Sequence, residues 1–336
     1  MDEANKFKSL KNKMESQNLD IKIINSLYYT MKKIRLVEER IALEYPNQEI
    51  RCPTHLSIGQ EGVPAALSTL LDKKDLAVST HRGHAHYLAK GGNLNKMIAE
   101  IYGKRTGCSG GKGGSMHLID VDNGFMGTSA IVGNSIPIGV GLGLSIKLEK
   151  KENIVCIFIG DGAIEEGVFY ESLNFAVLKE LPVLFICENN LYSVYSPLSV
   201  RQPKNRTIHS LAKAIGANTA HCNGNNVLET RSKFEKIIFE IKSKKSNCWF
   251  VECDTYRWRE HCGYQYDNNI GYRSEEEFNH WKSKDPIEIF LKSFSDFEFS
   301  ELDIKISKEI NTAFDKAKLD PYPDFEEAFT PLYKVT

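Results

Sequence analysis

The sequence predicts an α/β protein with a doubly wound, mainly parallel sheet, on the basis of three consecutive segments. Ile154–Ile159 and Val183–Cys187 are uninterrupted apolar runs rich in β-branched residues, which is typical of strands buried on both faces of a parallel sheet. Between them, Glu165–Leu181 carries apolar residues at close to helical spacing, and Pro182 would stop that helix. A strand, a helix and a second strand form a right-handed βαβ unit whose two strands are parallel and close together.

Polar residues follow both strands of this unit. Asp161 leaves the carboxyl end of the first strand and Asn190 leaves that of the second, at the sheet edge where open α/β folds bind ligands. One carboxylate and one amide oxygen suit Mg²⁺ that also takes substrate phosphates. Gly160 and Gly162 allow close backbone approach, and the next helix offers free N–H groups to an anion. An ordinary Asp-Gly turn is the simpler alternative, but an Asn at the second strand end favours a site.

The sequence GDGAIEEGVFYESLNFAVLKELPVLFICENNLYS resembles the thiamine diphosphate motif, which begins with GDG and ends in Asn. It is similar to the α subunit of the decarboxylating component of 2-oxo acid dehydrogenase complexes and to acetoin dehydrogenase α subunits. The resemblance implies a thiamine diphosphate-binding fold, of which this chain is the diphosphate-binding domain. It implies that Asp161, Asn190 and the backbone carbonyl of Tyr192 bind Mg²⁺. It also implies that Gly162 and Ala163 line the diphosphate.

Composition and charge exclude several classes of protein. The 336 residues carry a formal net charge of −1, so no electrostatic argument favours nucleic acid or a membrane surface as a partner. Eight cysteines lie scattered without a CxxC motif, which predicts reduced thiols in a cytoplasmic protein. Cys248 and Cys253 lie five apart in a strand-like run and would point to opposite faces, so they make a poor zinc site. The polar start predicts no signal peptide, and no apolar run reaches membrane-spanning length.

Helical extensions flank the predicted central domain. We expect an N-terminal helical segment over residues 1–50, the α/β domain over 51–273 and a C-terminal helical extension over 274–336. In the first segment, Asp20–Tyr45 predicts one long amphipathic helix capped by Asp20. Its apolar face could pack against the main domain or against a partner chain.

Two histidines are candidate catalytic residues. His55 precedes a predicted helix over Gly59–Leu71, and a lone loop histidine is usually just solvated. The family pattern of HL, two residues and GQE implies instead that His55 faces the reacting carbon, where an imidazole suits proton transfer. His261 matches the family's active-site histidine in a mobile loop that orders over the diphosphate. Its surroundings differ, because the usual HGHS is REHC here. Cys262 replaces the serine that is phosphorylated in mitochondrial relatives, so we expect no such regulation.

The segment THRGHAH follows a short predicted strand, Leu76–Ser79. Three histidines could form a zinc site, but no carboxylate or thiol completes the ligand set and Arg82 would repel the cation. An arginine at the carboxyl end of a strand is better explained as a diphosphate clamp. The longer run THRGHAHYLAKGG resembles acetoin dehydrogenase α subunits, in which the counterpart of Arg82 holds the diphosphate. Pyruvate-type members often have Tyr at the position of His81. We also assign His81 to cofactor binding.

Two further loops match the family. GCSGGKGGSMH fits no regular element and could be a flexible linker, but the resemblance places it beside the active site with His117 close to the cofactor. FMGTSAIVG corresponds to the segment under the aminopyrimidine ring, which implies contacts from Ala130 and Val132, although the family often has Gly in place of Ala130.

The helix predicted over Asn134–Lys150 contains Gly139, Gly141 and Gly143. Each glycine weakens a helix by about 1 kcal/mol relative to alanine unless close packing compensates. A subunit interface is our preferred explanation, and tight packing on the chain's own sheet is almost equally plausible.

Strand order provides a test of the site that does not depend on resemblance. Arg82, Asp161, Asn190 and His261 each follow a separate predicted strand, so all four should meet at one edge of a single sheet. We therefore expect one composite site.

The resemblance implies an enzyme that uses thiamine diphosphate and Mg²⁺ to decarboxylate a 2-oxo acid or cleave acetoin, passing the acyl group to lipoamide. A β subunit would complete the site in an α2β2 heterotetramer, and a lipoyl-bearing acyltransferase would be a further partner. Two alternatives stay open at this point. One is a lyase or transferase that adds the acyl carbanion to an aldehyde or sugar, and the other is a non-catalytic diphosphate-binding subunit.

Overall fold

Six parallel strands form the central sheet of the computed structural model, which describes residues 19–329. The strands are β1 (Leu76–Thr80), β2 (Phe125–Ser129), β3 (Val155–Gly160), β4 (Val183–Asn189), β7 (Asn218–Asn223) and β8 (Trp249–Asp254), while β5 (Tyr192–Ser193) and β6 (Ser196–Pro197) form a separate antiparallel pair. Their spatial order is β2-β1-β3-β4-β8-β7, and every pairing between them is parallel. The polar start of the chain, on which the expectation about a signal peptide rests, lies outside the described residues.

Helices cover both faces of this sheet. In chain order they are α1 (Ile21–Glu44), α2 (Gly62–Ser68), α3 (His84–Ala89), α4 (Leu94–Ile101), α5 (Ser135–Leu148), α6 (Gly167–Leu178), α7 (Leu198–Arg201), α8 (Ile208–Ile215), α9 (Val227–Lys242), α10 (Glu275–Lys282), α11 (Pro286–Ser293) and α12 (Ser300–Leu319). Alternate residues of β3 point to opposite sides, with Phe158 in one core cluster and Ile157 in the other, as the two-residue period of a strand requires. The predicted doubly wound α/β fold is confirmed.

The two terminal helical regions pack against each other and against the sheet domain. Helix α1, which begins after its predicted cap Asp20, lies beside α12. The Tyr28 hydroxyl donates to Asp303 at 2.8 Å, and Lys33 forms an ion pair with Glu309 at 2.8 Å. Both helices contribute to the same core cluster as α2 and α9. The apolar face of α1 is therefore buried within the chain, while the three-part domain division stays a prediction.

Two sequence expectations about helices are refined. The helix predicted over Gly59–Leu71 begins only at Gly62 and ends at Ser68, because Gly59 has a φ of +99° and lies in a turn. In α5, a Cβ on Gly139 would lie 2.4 Å from the Ile157 side chain, and one on Gly143 would lie 2.4 Å from Val183. Packing on the chain's own sheet thus explains these two glycines, whereas Gly141 faces open space.

Among residues 19–329 no helix is long and apolar enough to cross a membrane.

Candidate functional site

A cavity of about 190 Å³ opens at the carboxyl edge of the sheet. Arg82 follows β1, Asp161 follows β3 and Asn190 follows β4, while His261 lies in the long loop after β8. All four side chains line this cavity. Parallel strands that pair in register bring the residues beyond their ends together. The structure therefore brings together the four residues on which the prediction of a composite site rests.

The predicted metal-binding residues lie together at one end of the cavity. The backbone N–H of Asn190 donates to Asp161 Oδ1 at 3.3 Å, and the N–H of Tyr192 donates to Asn190 Oδ1 at 3.3 Å. Asp161 is only 1% exposed, and burial raises the pKa of its carboxylate, an effect opposed by an ion pair with Arg201. Two oxygen ligand types that a hard cation prefers are thus adjacent, and the carboxylate is already paired with a positive charge.

The glycines of the GDG segment shape the floor of this end. A Cβ on Gly160 would meet no atom within 4 Å, so its backbone faces the open cavity. A Cβ on Gly162 would lie 2.6 Å from the Ser193 hydroxyl, and the loop carrying Ser193 could not approach so closely. Ala163 begins a single turn of 3₁₀ helix, Ala163–Glu165, whose first N–H groups are available to an anion.

Arg82 is a buried cation with an unusual set of partners. Its Nη1 donates to the Leu56 carbonyl at 2.6 Å, and its Nη2 donates to the His261 carbonyl at 2.9 Å. Burial, followed by the charge of Arg257, lowers the pKa of Arg82 to about 9. Among the described residues no carboxylate lies within ion-pair distance of it. A buried charge without an opposite charge is costly, which indicates that this guanidinium is arranged for an anion.

Three histidine side chains meet beside Arg82. The ring centroids of His55 and His81 are 4.4 Å apart, and His261 lies 5.0 Å from His55 and 5.4 Å from His81. Burial and the charge of Arg82 lower the pKa of His81 and of His261 to about 3, and the same two causes lower that of His55 further. The three imidazoles are therefore neutral at pH 7.

The same three rings also bring a nitrogen each to within 4.8 Å of one another, a spacing that could hold a metal ion. The field of Arg82 that disfavours a proton on these rings disfavours a divalent cation as well. Neutral imidazoles that donate and accept hydrogen bonds are the better description of this cluster.

Two residues predicted to contact the aminopyrimidine ring, Ala130 and Val132, line the cavity. His117, predicted to lie close to the cofactor, has an exposed side chain, and its carbonyl accepts a hydrogen bond from Ser109. The 3₁₀ turn Gly114–Met116 precedes it, and Met116 is the residue of this segment that lines the cavity. The cofactor contact of His117 stays a prediction.

Sequence reasoning missed a fourth histidine and a glutamate in the cavity wall. His86 contacts Ser79 Oγ through Nδ1 at 2.7 Å and lies 3.1 Å from Glu188 Oε2 through Nε2. Its ring stacks on Phe158 at 3.9 Å. Glu188 was recognisable as the single acid in an apolar strand, and His86 was considered only as part of a zinc site. Together they add an imidazole and a nearby carboxylate to the histidine side of the cavity.

Two buried glutamates outside the cavity hold its loops, and sequence reasoning missed these as well. Both carboxylate oxygens of Glu38 accept from the backbone N–H of Ser57, two residues after His55, at 2.9 and 2.7 Å. The Glu100 carboxylate accepts four backbone N–H groups of the glycine-rich loop, from Ser109, Gly111, Gly113 and Gly114. Neither glutamate side chain reaches solvent.

The polar atoms of the cavity indicate what kind of ligand fits it. Among residues 19–329, the Nδ1 atom of His55, both ring nitrogens of His81 and the Oε1 atom of Glu188 are buried without a hydrogen-bond partner. Buried polar atoms normally have partners. Together with Arg82 and the oxygen atoms at Asp161 and Asn190, they fit an anion that carries a divalent cation at one end and a polar reacting group at the histidine end.

Comparison with known proteins gives relatives along nearly the whole chain. The dehydrogenase E1 component family matches residues 29–326. The pyruvate dehydrogenase E1 component subunit alpha of Rickettsia bellii is 35% identical over 309 residues, which cover 90% of this chain and 93% of that protein. The alpha subunit of the acetoin:2,6-dichlorophenolindophenol oxidoreductase of Bacillus subtilis is 32% identical and covers 91% of this chain and 92% of its own length.

A solved structure shares the fold. The transketolase of Campylobacter jejuni superposes with a TM-score of 0.54 at 16% identity and covers 93% of this chain. The chain spans about half of the transketolase, 52% of its length, and the likeness shows the fold alone. The family match and the identity to the Rickettsia relative show more than the fold. This chain belongs to the dehydrogenase E1 component family.

Proposed function

We propose that this chain is the alpha subunit of a thiamine diphosphate-dependent dehydrogenase that acts on a pyruvate-like 2-oxo acid or on acetoin and passes the acyl group to lipoamide. The observation that carries the proposal is the buried Arg82 without a carboxylate partner, at the same edge as Asp161 and Asn190. An anion with a bound Mg²⁺ would pair with Arg82 and would place the cation at Asp161 and Asn190. The names of the Rickettsia and Bacillus relatives support dehydrogenase chemistry.

The residues at the strand ends would hold the cofactor. Asp161, Asn190 and the carbonyl of Tyr192 would bind Mg²⁺, as oxygen ligands that leave positions for phosphate. Arg82 would clamp the diphosphate with two charge-assisted bonds, and the backbone of Gly162 and Ala163 would line it. When bound, thiamine diphosphate supplies the carbon nucleophile that attacks the substrate carbonyl, while the protein orients it.

The histidine cluster would handle the substrate's oxygen and its proton. A neutral imidazole has one N–H donor and one nitrogen acceptor, and His55 has its Nδ1 free of protein partners. His55 and His261 would donate hydrogen bonds to the carbonyl oxygen of the substrate, or give it a proton as the carbonyl carbon is attacked and take that proton back when the carbonyl re-forms. His81, beside both, would fix the position of the reacting end. His55 is buried and the other two rings are half-buried, which limits the access of water to this step.

An exposed apolar surface beside the cavity supports the presence of a beta subunit. Ile131, between the lining residues Ala130 and Val132, is 69% exposed, and Ile138 at the start of α5 is 48% exposed. Apolar side chains at the mouth of a site are typical of a surface covered by a partner. We therefore propose an α2β2 heterotetramer with the active site at the α/β interface. A lipoyl-bearing acyltransferase as a further partner and a cytoplasmic location complete the proposal.

The altered loop around His261 favours the lyase or transferase alternative, which can be tested. The sequence REHC is followed by GYQYDNN, and the loop is closed by an ion pair between Asp267 and Arg273. A loop of different composition over the reacting end could admit an aldehyde or a sugar as acceptor. Product formation from 2-oxo acids and acetoin, with and without lipoyl domain, separates the two: acyl transfer that proceeds fully without lipoyl groups would favour the lyase or transferase.

The metal assignment has a direct test. Asp161→Ala should abolish binding of thiamine diphosphate with Mg²⁺ and leave the chain folded, because the substitution removes the charged ligand and adds no bulk. Calorimetric titration in the presence of the beta subunit measures the affinity, and circular dichroism checks the fold. Asp315→Ala, an exposed substitution on α12, is the control and should bind normally. Normal cofactor affinity in Asp161→Ala would refute the assignment.

A further inference from the structure

Arg201 is the cation that neutralises Asp161. It lies at the end of α7, and its Nη2 forms an ion pair with Asp161 Oδ2. Its Nη1 donates to Glu165 at 2.7 Å, and its Nε donates to the Ser196 carbonyl at 3.0 Å. The side chains of Arg201 and Asp161 are 9% and 2% exposed. The carboxylate predicted to hold Mg²⁺ is thus paired with a largely buried guanidinium.

The two oxygen atoms of Asp161 have different roles in this contact. Oδ1 accepts the backbone N–H of Asn190 at 3.3 Å, and Oδ2 is the atom that meets Arg201. A guanidinium N–H group and a divalent cation both bind carboxylate oxygens and carry the same sign of charge. A cation at Oδ2 therefore repels the adjacent guanidinium and competes with it for the carboxylate in this buried site.

We propose that Arg201 is an internal counter-ion that competes with the divalent cation for Asp161 and leaves the carboxylate when the cation binds. This inference rests on the proposed function, since it takes Asp161 as the metal ligand. Without a positive partner the buried carboxylate would be costly. Arg201 supplies that partner from within the chain and so sets how tightly the metal binds. It acts through Asp161 and is a positioning residue.

Release of Arg201 is coupled to the loop that completes the site. The segment from Leu191 to Arg201 carries Tyr192, whose carbonyl is the third predicted metal ligand, and Val194, which lines the cavity. Arg201 Nη2 also lies 3.4 Å from the Leu191 carbonyl. The same guanidinium therefore fixes this loop at both its ends. Its contact with Glu165 is the one that can persist when Asp161 binds a metal ion.

A purely structural role for Arg201 predicts the opposite result on substitution. If Arg201 only supported the loop, its removal would disorder the site and weaken metal binding. If it competes with the metal, its removal leaves a buried carboxylate without a counter-ion, and metal binding becomes tighter. The sign of the change in metal affinity separates the two roles.

The experiment is a titration of the full chain with Mn²⁺, in the absence of thiamine diphosphate, with free Mn²⁺ followed by electron paramagnetic resonance. In Arg201→Gln we expect Mn²⁺ affinity to rise by roughly ten- to a hundredfold, the size expected for loss of a charge-assisted competitor. Arg206→Gln, which changes an arginine five residues beyond this loop that contacts Gln202, is the matched control and should equal the wild type. Arg201→Lys keeps the charge but loses the fork, and its affinity should lie between those of Arg201→Gln and the wild type.

The outcomes separate this inference from the proposed function. If Asp161→Asn loses Mn²⁺ binding while Arg201→Gln binds no more tightly than the wild type, the role of Arg201 is overturned and the metal site stands. If no variant shows binding that depends on Asp161, both are overturned. Should Arg201→Gln fail to fold, the Lys variant decides, and an affinity equal to or below that of the wild type overturns the inference.

Discussion

The two halves of the cavity are held in place in different ways. At the metal end, Asp161 and Asn190 directly follow β3 and β4, whose parallel register pairs Gly160 with Glu188. Backbone hydrogen bonds of the sheet therefore fix these residues. At the histidine end, His55 and Met116 lie on loops that follow no strand of the sheet. Their positions depend on contacts with helices that are distant in sequence.

Buried carboxylates replace strand pairing at the histidine end. Glu38 on α1 accepts the N–H of Ser57, and it also lies 3.2 Å from His84 Nδ1, whose other nitrogen contacts Ser115 at 2.7 Å. One glutamate thus links the loop of His55 to the loop of Met116. Glu100 on α4 gathers four N–H groups of the second loop. A loop without regular structure needs such acceptors because its N–H groups are otherwise unpaired.

Removal of one carboxylate oxygen at the histidine end should have the largest effect. In Glu100→Gln an NH₂ group would face two backbone N–H donors, so two charge-assisted hydrogen bonds are lost and the free energy of unfolding should fall by about 3 kcal/mol or more. Urea denaturation measures it. Glu301→Gln, an exposed substitution near the start of α12, should change stability by less than about 0.5 kcal/mol. A similarly small loss in Glu100→Gln would mean that the glycine-rich loop is held by something else.

This difference explains which parts of the site could be predicted from sequence. The strand alternation fixed Asp161 and Asn190 as neighbours because parallel strand ends share an edge. The histidines were recognised by resemblance; His81 directly follows β1, but His55 and His261 lie on loops whose paths no local pattern encodes. The cofactor contact predicted for His117 stays a prediction, and it is Met116, at the end of the preceding turn, that lines the cavity. Arg201 was missed because its partner Asp161 is forty residues away on another element.

The histidine end should also contribute to the pH dependence of the free energy of unfolding. The folded protein has a pKa of about 3 at His81, lowered by burial and then by the charge of Arg82, against about 6.5 in the unfolded chain. Between these values the unfolded chain binds a proton that the folded chain does not, so stability falls as the pH falls. His81 should account for a loss of about 1 kcal/mol between about pH 6.5 and 5.5.

Urea denaturation at several pH values measures this contribution. His81→Gln should flatten the acid side of the stability curve by that amount, whereas His280→Gln, which changes an exposed histidine on α10, should leave its slope unchanged. If the wild type and His81→Gln had parallel curves, the cluster would be more hydrated than its geometry indicates. The difference between a metal end fixed by the sheet and a partly buried histidine end built mainly from loops would then lose its electrostatic part.

The smallest predicted effect concerns the glycines of α5, where sequence left two explanations open. A Cβ on Gly141 meets no atom within 4 Å, so Gly141→Ala should stabilise the separate chain by about 0.5–1 kcal/mol through its helix propensity. Gly139→Ala is the matched control, because its Cβ would lie 2.4 Å from Ile157 and should destabilise the chain. Thermal and urea denaturation should show a more stable chain for Gly141→Ala and a less stable chain for Gly139→Ala.

The same pair of variants tests what lies against α5 in the assembly. Gly139 is explained by the sheet that fixes the metal end, while Gly141 has no such neighbour and lies on the same helix as the exposed Ile138. If a partner chain packs there, Gly141→Ala should stabilise the separate chain yet weaken assembly of the complex, measured by analytical ultracentrifugation with the beta subunit. Unchanged assembly would remove the interface explanation for Gly141. A more stable separate chain together with weaker assembly of the complex is the result that only close packing by a second chain produces.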